Sequence, residues 1–401
     1  MKGKGEKSTV AVVPCRTYEP EEVRSAVQHG LALLGGCGQL FRPEENILLK
    51  PNLVRSAARE RAVVTDPAVL DALIGNLKEA GYRKLTCGDS CGLGSTEGTA
   101  KACGLLDVLQ KQKVPLTDLH EGVKTTFGDG KTMMVAKDAL SADAIVSIGK
   151  MKTHALERIT GAVKNQYGCI SGMYKKVGHT EYPNAESFAR MLVELNQILP
   201  MRLFVLDGIV AMEGNGPTSG DPTPMQVLLF STDPVALDAV FCHLVYLDPK
   251  LVPTNVMGET LGLGTWREEN IRIVSPDGEL SAGELQKRYG NRKFRADRSP
   301  KRKKGVLDLL GVLDHFGPRP VIDPKLCRKC GICVESCPVE GKALHFPEEG
   351  REKEPVYDYK KCIRCCCCQE MCPHGAISLQ RRGFEFSSRT RSRSGKKWCG
   401  H

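Results

Sequence analysis

The sequence has no long uncharged apolar run. Over 401 residues the nearest approach is the glycine-rich stretch from Gly30 to Phe41, far short of the roughly 20 apolar residues that a membrane-spanning helix needs. The first ten residues, MKGKGEKSTV, lack the apolar region of a secretion signal. Because eighteen cysteines without export indicate a reducing compartment, we expect a cytoplasmic protein without a membrane span.

Acidic residues are scarce in two short segments, and these segments make the protein basic. The net charge is +10, and residues 286–304 and 381–401 carry formal charges of +9 and +6. Both are poor in aliphatic residues, which is typical of flexible chain. They are interpreted as a solvated linker and tail, as docking sites for an acidic redox partner, or as nucleic-acid contacts. Few aromatic residues interleave the charges, so nucleic acid is the weakest of the three interpretations.

Eight of the cysteines form two copies of one pattern, C-x2-C-x2-C-x3-C-P. We call the copies the first cysteine string (Cys327–Cys337) and the second cysteine string (Cys362–Cys372). The duplicated spacing is typical of bacterial two-cluster ferredoxins, in which the fourth cysteine of each string binds the other cluster. The sequence therefore predicts two [4Fe–4S] clusters, the first held by Cys327, Cys330, Cys333 and Cys372 and the second by Cys362, Cys365, Cys368 and Cys337.

Two other uses of these cysteines are weaker interpretations. A pair of zinc sites would more often show separated cysteine pairs or histidine ligands, and a disulfide framework does not suit a long chain without a secretory segment. Cys366 and Cys367 lie inside the second string but outside its pattern. They are either small packing residues or spare thiols beside a cluster that can exchange a ligand.

Cationic side chains lie next to the predicted ligands. Positive charge favours the more negative, reduced form of a cluster and so raises its reduction potential. We therefore expect less negative potentials than in an acid-rich ferredoxin, owing to Arg328, Lys329, Lys360, Lys361 and Arg364.

Strand-like and helix-like segments alternate through the first 285 residues. This alternation predicts an α/β domain with a mostly parallel sheet, followed by a small α+β ferredoxin-like domain with two clusters. The predicted boundaries are an α/β domain over 1–285, a basic linker with a short helix (306–316) over 286–320, the cluster domain over 321–380 and a basic flexible tail over 381–401.

Polar side chains follow several predicted strands, where ligands bind in open α/β sheets. We propose Lys150, Lys152 and His154 as catalytic residues that hold an anionic substrate or donate a proton, and Asp89 and Asp207 as residues that orient it or a metal. The alternative for Asp89 and Asp233 is that each only caps a helix. The glycine-rich residues 214–220 are expected to form a flexible loop over this edge of the sheet.

The same residues carry a family resemblance. The runs LLKPNLV, CGDS, GKMKTH, TGAVKNQYG, LDGIVAMEGNGPTSG and STDPVALDAV resemble the family of the domain of unknown function 362 (DUF362). The resemblance covers most of residues 8–275, and the cluster module extends it to about 380. It implies an iron–sulfur protein in which a ferredoxin-type module follows the α/β domain, and it implies no particular substrate or reaction.

Three functional hypotheses follow from the sequence. The leading one is an iron–sulfur oxidoreductase that relays single electrons from a redox partner, possibly acidic, to a site on the α/β domain. The second is a non-catalytic ferredoxin-like carrier or assembly subunit. The third is a non-redox α/β enzyme whose clusters are structural or sense oxygen.

Overall fold

The structure is a computed structural model that describes residues 7–172, 174–300, 318–347 and 350–380. The helix predicted over 306–316 and the tail predicted over 381–401 lie outside these residues. In the part of the chain that is described, no helix is both long and apolar enough to cross a membrane.

A large sheet, mostly parallel at its centre, organises the N-terminal domain. The strands of this domain are β1 (Ser8–Pro14), β2 (Ile47–Lys50), β3 (Leu85–Asp89), β4 (Leu116–Asp118), β5 (Gly122–Thr126), β6 (Thr132–Ala136), β7 (Ala144–His154), β8 (Arg158–Thr160), β9 (Met201–Glu213), β10 (Asp221–Ser231), β11 (Ile271–Ser275) and β12 (Gly278–Leu280). The order is β12-β11-β1-β10-β9-β7-β2-β3-β4, with β8 paired to β7, while β5 and β6 form a separate hairpin. Strands β9, β7, β2, β3 and β4 run parallel to one another.

Helices cover both faces of this sheet and bury its apolar side chains. On one face Val27 and Leu70 pack with Leu49, and on the other Phe241 packs with Leu229. The resulting three layers confirm the predicted α/β fold class. The helices are α1 (Pro20–Leu33), α2 (Cys37–Leu40), α3 (Pro67–Glu79), α4 (Thr96–Ala102), α5 (Leu105–Lys111), α6 (Lys137–Ser141), α7 (Ala162–Asn165), α8 (Tyr174–Glu181), α9 (Ala185–Ile198), α10 (Pro234–Leu244), α11 (Pro253–Thr260) and α12 (Ala282–Tyr289).

Capping residues explain where the helices begin and end. Asp233 accepts hydrogen bonds from the backbone N–H groups of Val235 and Ala236 at the start of α10, so this carboxylate is a helix cap. Helices α4 and α5 are separate because Gly104, which lies between them, adopts a φ of 82°, a left-handed conformation that interrupts a helix.

Strand β7 is longer than the sequence predicted. The apolar pattern indicates a strand that ends at Ile148, but β7 continues to His154 because β8 and β9 supply hydrogen-bond partners beyond that point. Lys150 pairs in register with Asp207, and Lys152 pairs with Thr160. The candidate residues of this segment therefore lie on a buried strand and not in a loop.

Residues 286–300 pack onto the α/β domain, although their charge predicted a linker. Phe294 is fully buried against Phe241. Arg295 forms ion pairs with Glu213 and Asp221. The net charge of the segment does not reveal that one of its aromatic rings is buried, or that two carboxylates from distant strands pair with its arginine. These contacts hold residues 286–300 on the α/β domain.

The C-terminal module is a small α+β unit with an internal repeat. Its elements are β13 (Arg319–Ile322), α13 (Ile332–Glu335), β14 (Leu344–His345), β15 (Val356–Tyr357), α14 (Cys367–Met371) and β16 (Ile377–Gln380). Strand β13 pairs with β16, and β14 pairs with β15, both antiparallel. The outer strands thus join the two halves of the repeat, and each half contributes one cysteine string.

Candidate functional site

Two cavities in the C-terminal module are each lined by four of the predicted cysteine ligands. The first cysteine cavity is lined by Cys327, Cys330, Cys333 and Cys372. The second is lined by Cys337, Cys362, Cys365 and Cys368. The fold thus brings together the members of each predicted set, with the last cysteine of each string crossing to the other cavity.

The donor chemistry of both cavities fits [4Fe–4S] clusters. Four thiolates per cluster are the usual ligands, and hydrogen bonds to the sulfurs tune such centres. The backbone N–H groups of Lys329 and Ala343 each lie 3.4 Å from a ligand sulfur, those of Cys327 and Cys337 respectively. The seventeen cysteines among the described residues are all free thiols.

The side chains of Cys366 and Cys367 line different cavities. Cys366 lines the second cysteine cavity as a fifth thiol and has a φ of 66°, a left-handed conformation that is uncommon for residues other than glycine. Cys367 lines a different cavity, at the boundary with the α/β domain. The two extra thiols are therefore not equivalent.

The glycine-rich residues 214–220 form the docking surface for the C-terminal module. Gln369 donates hydrogen bonds to Asn215 and to the carbonyl of Gly216, and Thr218 donates to the carbonyl of Glu370. A Cβ atom at Gly216 would lie 2.3 Å from the carbonyl oxygen of Thr153, so the close approach requires glycine. Where we expected a loop over the edge of the sheet, the structure has an interdomain contact.

His154 lies at the centre of this contact. Its Nε2 atom is 2.7 Å from Oε1 of Glu370, although the two groups are not aligned as a hydrogen bond. Its Nδ1 atom accepts from the backbone N–H groups of Leu156 and Glu157, which places the ring proton on Nε2. Burial lowers the pKa of His154 to about 4, so the ring is neutral at pH 7.

A cavity of about 110 Å³ lies between the two domains, next to this contact. We call it the interdomain cavity. The α/β domain contributes its cationic and imidazole groups, and α14 contributes a thiol and a carboxylate. These residues are Lys164, Lys175, Lys176, His179, Cys367 and Glu370.

Among the five proposed catalytic residues, Asp89 lines the interdomain cavity directly. Its carboxylate accepts from Lys50 Nζ at 3.0 Å and from the backbone N–H groups of Leu53 and Ser90. Lys50 is fully buried beneath it. The negative charge of Asp89 is therefore balanced by this lysine.

Lys152 does not line the cavity but contacts a residue that does. Its Nζ atom donates to Oδ1 of Asn52 at 2.8 Å and to the carbonyl of Val63 at 2.7 Å, and Asn52 lines the cavity. Burial, together with the charges of Lys164 and Lys150, lowers the pKa of Lys152 well below its usual value. Burial therefore disfavours the charged form of this lysine relative to the neutral amine.

Lys150 and Asp207 form a separate buried pair. Nζ of Lys150 lies 2.8 Å from Oδ2 of Asp207 and 2.7 Å from the hydroxyl of Tyr18. Burial raises the pKa of Asp207 above its usual value. The pair is enclosed, and its residues are not among those that line the interdomain cavity.

The sequence reasoning missed the contributions of α8 and Glu370. Lys175 and Lys176 precede His179 by four and three positions, which puts lysine and histidine on neighbouring positions of one helical face. That spacing was the available signal. For Glu370 the sequence carried no such signal, because its burial depends on how the module docks.

Comparison with known proteins gives two sequence matches along the chain. Residues 47–243 match the domain of unknown function DUF362, and residues 319–373 match the 4Fe-4S dicluster domain. A relative, the thylakoid-associated protein sll1697 of Synechocystis sp., is 36% identical over 274 residues, which cover 68% of this chain and 85% of that protein.

Similarity to solved structures is weaker. The lactate racemase apoprotein of Thermoanaerobacterium thermosaccharolyticum matches with a TM-score of 0.43 and 15% identity, over 59% of this chain and 56% of that one. A protein of Thermotoga maritima from a structural genomics consortium matches with a TM-score of 0.34 and 14% identity, over 51% and 53%. In each case the match spans little more than half of the solved chain.

The dicluster match and the eight converging cysteines make this an iron–sulfur protein with a ferredoxin-like module. The DUF362 match over residues 47–243, together with 36% identity to the Synechocystis relative over 68% of this chain, identifies the family. The protein belongs to the DUF362 family and carries a 4Fe-4S dicluster domain after its α/β domain.

Proposed function

We propose that the protein is an iron–sulfur oxidoreductase that relays single electrons through two [4Fe–4S] clusters to a site on the α/β domain. Cys327, Cys330, Cys333 and Cys372 would hold the first cluster, and Cys362, Cys365, Cys368 and Cys337 the second. Such clusters, when bound, supply reversible one-electron chemistry. The proposal therefore assigns electron transfer to the C-terminal module and substrate binding to the α/β domain.

The observation that carries this proposal is the contact between Glu370 and His154. Glu370 lies on α14, two residues from the cysteines on either side of it, at 368 and 372. Its carboxylate meets the last residue of β7 at 2.7 Å. A carrier with an unrelated α/β domain would not need to bring a ligand-bearing helix onto the polar end of the central sheet.

The five candidate catalytic residues would have different roles in this reaction. Asp89 would contact the substrate, because it lines the interdomain cavity. Lys152 and His154 would act through Asn52 and Glu370, the cavity residues that they touch. Lys150 and Asp207 would fix this end of the sheet from beneath, through their pairing with each other.

The first cysteine string offers an entry point for electrons. Cys330 is exposed, and so are the neighbouring Arg328, Lys329 and Leu326. A cationic rim around an apolar side chain suits docking of an acidic redox protein, which charge steers to the surface. The same surface also favours the second candidate function, that of a carrier that passes electrons between protein partners without a substrate of its own.

We further infer a reducing compartment, such as the cytoplasm. Exposed cluster ligands such as Cys330 and the many free thiols of the described residues support this inference. The thylakoid association in the name of the cyanobacterial relative is a property of that protein.

Metal analysis and spectroscopy of anaerobically purified protein test the proposal. We expect about eight irons and about eight sulfides per chain, and an electron paramagnetic resonance signal of reduced clusters after addition of dithionite. Stoichiometric zinc without such a signal would refute it. To separate the enzyme from the carrier, Lys152→Ala should retain both clusters and their reduction by dithionite while losing any reaction found for the wild type.

A further inference from the structure

The interdomain cavity has more positive than negative charge available to a ligand. Lys164, Lys175 and Lys176 line it. Among the described residues, none of these three ammonium groups forms an ion pair with a carboxylate. Lys50 pairs with Asp89, while Glu370 contacts the neutral ring of His154. One carboxylate without a cationic pairing partner therefore faces three ammonium groups, so the wall keeps an excess of positive charge.

The present contacts of the lysines do not satisfy a charge. Lys175 Nζ donates to the hydroxyl of Ser90 at 2.6 Å, and Lys176 Nζ donates to the carbonyl of Glu335 at 3.2 Å. Lys164 Nζ lies 5.8 Å from the centre of the Tyr167 ring. Neutral oxygens and a ring face leave ammonium donors free for an anion.

A buried imidazole supplies an independent sign of a missing partner. His179 is 5% exposed, lines the cavity, and its Nδ1 atom has no hydrogen-bond partner among the described residues. The ring is held by stacking on Phe188, with the centroids 4.6 Å apart. Thr160, also in the wall, has a buried hydroxyl without a partner in the described chain. Buried polar atoms without partners are rare unless a ligand or water satisfies them.

The cavity lies beside both cysteine cavities. Ser336, Cys367 and Met371 form part of its wall, and each is the sequence neighbour of a predicted cluster ligand. Neighbouring Cα atoms are about 3.8 Å apart. A molecule in the interdomain cavity would therefore contact residues that are adjacent in sequence to ligands of both predicted sets.

We propose that the interdomain cavity binds a small oxyanion, such as a short carboxylate or a phosphate, through Lys164, Lys175, Lys176 and His179. This inference rests on the function proposed above, in which the oxyanion is the substrate. The volume of about 110 Å³ is well below the roughly 300–1,000 Å³ of pockets for drug-sized ligands, so nucleotides are too large. Burial lowers the pKa of His179 to about 4, so its ring is neutral at pH 7 and donates a hydrogen bond, while the lysines supply charge.

The test is binding of defined anions to iron-replete protein by isothermal titration calorimetry. Sodium malonate and inorganic phosphate are titrated separately at constant ionic strength, and neutral malonamide serves as the uncharged control. We expect saturable binding of at least one anion and none of malonamide. Lys164→Gln and Lys175→Gln should each weaken that binding at least tenfold, whereas Lys101→Gln, an exposed lysine on α4, should leave it unchanged.

The outcomes for the cavity and for the clusters are distinguishable. If iron-replete protein binds neither anion, or if both lysine variants bind as the wild type does, the cavity proposal is overturned while the clusters stand. If the purified protein instead contains zinc and still binds an anion through these lysines, the cavity proposal is supported and the cluster proposal is overturned. His179→Phe, which keeps the stacking on Phe188, should weaken binding without loss of iron; unchanged affinity would contradict the part assigned to this ring.

The pH dependence gives a second readout. Burial lowers the pKa of Lys175 to about 8, and the titratable groups around it from other elements are Asp89, Lys50, Cys91 and Cys169. Below this pH the ammonium is charged, and above it the amine is neutral. Malonate affinity should therefore fall by up to tenfold per pH unit above about 8 in the wild type. In Lys175→Gln the decline in this range should be absent; a decline of equal size in the variant would assign the dependence to another group.

Discussion

The two cysteine strings share a ligand pattern and a backbone conformation but differ in what surrounds them. Glu335 and Glu370 occupy the same position, two residues before the last cysteine of each string. Glu335 is exposed, whereas Glu370 is 6% exposed and contacts His154. The second string carries most of the hydrogen bonds to the α/β domain. The first string contributes the carbonyl of Glu335 and the side chain of Ser336 to that boundary, and its Cys330 is exposed. The same ligand spacing thus acquires different surroundings from its tertiary neighbours.

Each string has two left-handed positions, and the residues at the second of these differ in kind between the strings. Gly331 has a φ of 84° in the first string, and Cys366 has a φ of 66° at the equivalent position of the second. Both precede a short helix that carries ligands. Glycine fits this conformation without cost, while a side chain there is strained. The second string therefore carries a strained side chain at a position where the first has glycine.

Loss of a ligand should produce the largest difference between the strings. Cys330→Ala and Cys365→Ala should each lower the iron content from about eight to about four per chain. Since metal binding contributes directly to folding and the second string carries most of the interdomain hydrogen bonds, Cys365→Ala should also be the less stable of the two in thermal unfolding. Iron analysis and calorimetry check both points. The control variant Cys37→Ala, which lies outside the strings, should keep its iron. Equal stability of the two ligand variants would contradict the predicted difference between the strings.

Removal of the equivalent glutamates should have unequal effects. Glu370→Ala leaves the buried Nε2 of His154 without its contact and should lower the free energy of unfolding by about 1–3 kcal/mol. Glu335→Ala removes an exposed side chain and should change it by less than about 0.5 kcal/mol. Chemical denaturation under anaerobic conditions measures both values. A loss of equal size in the two variants would show that the docked arrangement is not the one in solution.

Exchange of the left-handed residues should shift stability in opposite directions. Cys366→Gly relieves the strained conformation and should raise the free energy of unfolding by about 1 kcal/mol, whereas Gly331→Cys should lower it by about 1–2 kcal/mol. Because Cys366 is not a predicted ligand, its replacement should leave the iron content unchanged. Loss of iron in Cys366→Gly would instead make this thiol a ligand of the second set.

Cations beside the ligands should have the smallest effect. Replacing Lys360, Lys361 and Arg364 together with Gln should lower the reduction potential of the nearby cluster, because the reduced form loses favourable charge. For one charge at roughly 10 Å in water the interaction is about 0.4 kcal/mol, which corresponds to about 20 mV. Protein-film voltammetry resolves a shift of this size. Replacing Arg328 and Lys329 together with Gln should move the other potential by a smaller amount. Two charges are removed in place of three, and solvent reaches the exposed Cys330. If neither set of substitutions shifts a potential, the cations do not tune the clusters.

The cysteine sets and the α/β fold class were predictable because their signals are local or periodic. A thiolate spacing such as that of Cys327 to Cys337 is repeated in the chain, and the alternation of strands and helices needs only short windows. The cap at Asp233 also follows from its neighbours, Pro234 and the apolar helix after it. The extension of β7 through Lys150 and His154 was not predictable, because it depends on β8 and β9, which are distant in sequence or lack a strong pattern.

By itself, the sequence determined that eight thiols would converge in two groups and that polar side chains would follow buried parallel strands. Only the tertiary structure decided which of those side chains meet. It separated Lys150 and Asp207 from the interdomain cavity and brought Lys175 and His179 from α8 to it, with Glu370 from the other domain. The physical reason is that ligand spacing is written in consecutive residues, whereas burial and pairing of a charge depend on which distant surfaces dock against it.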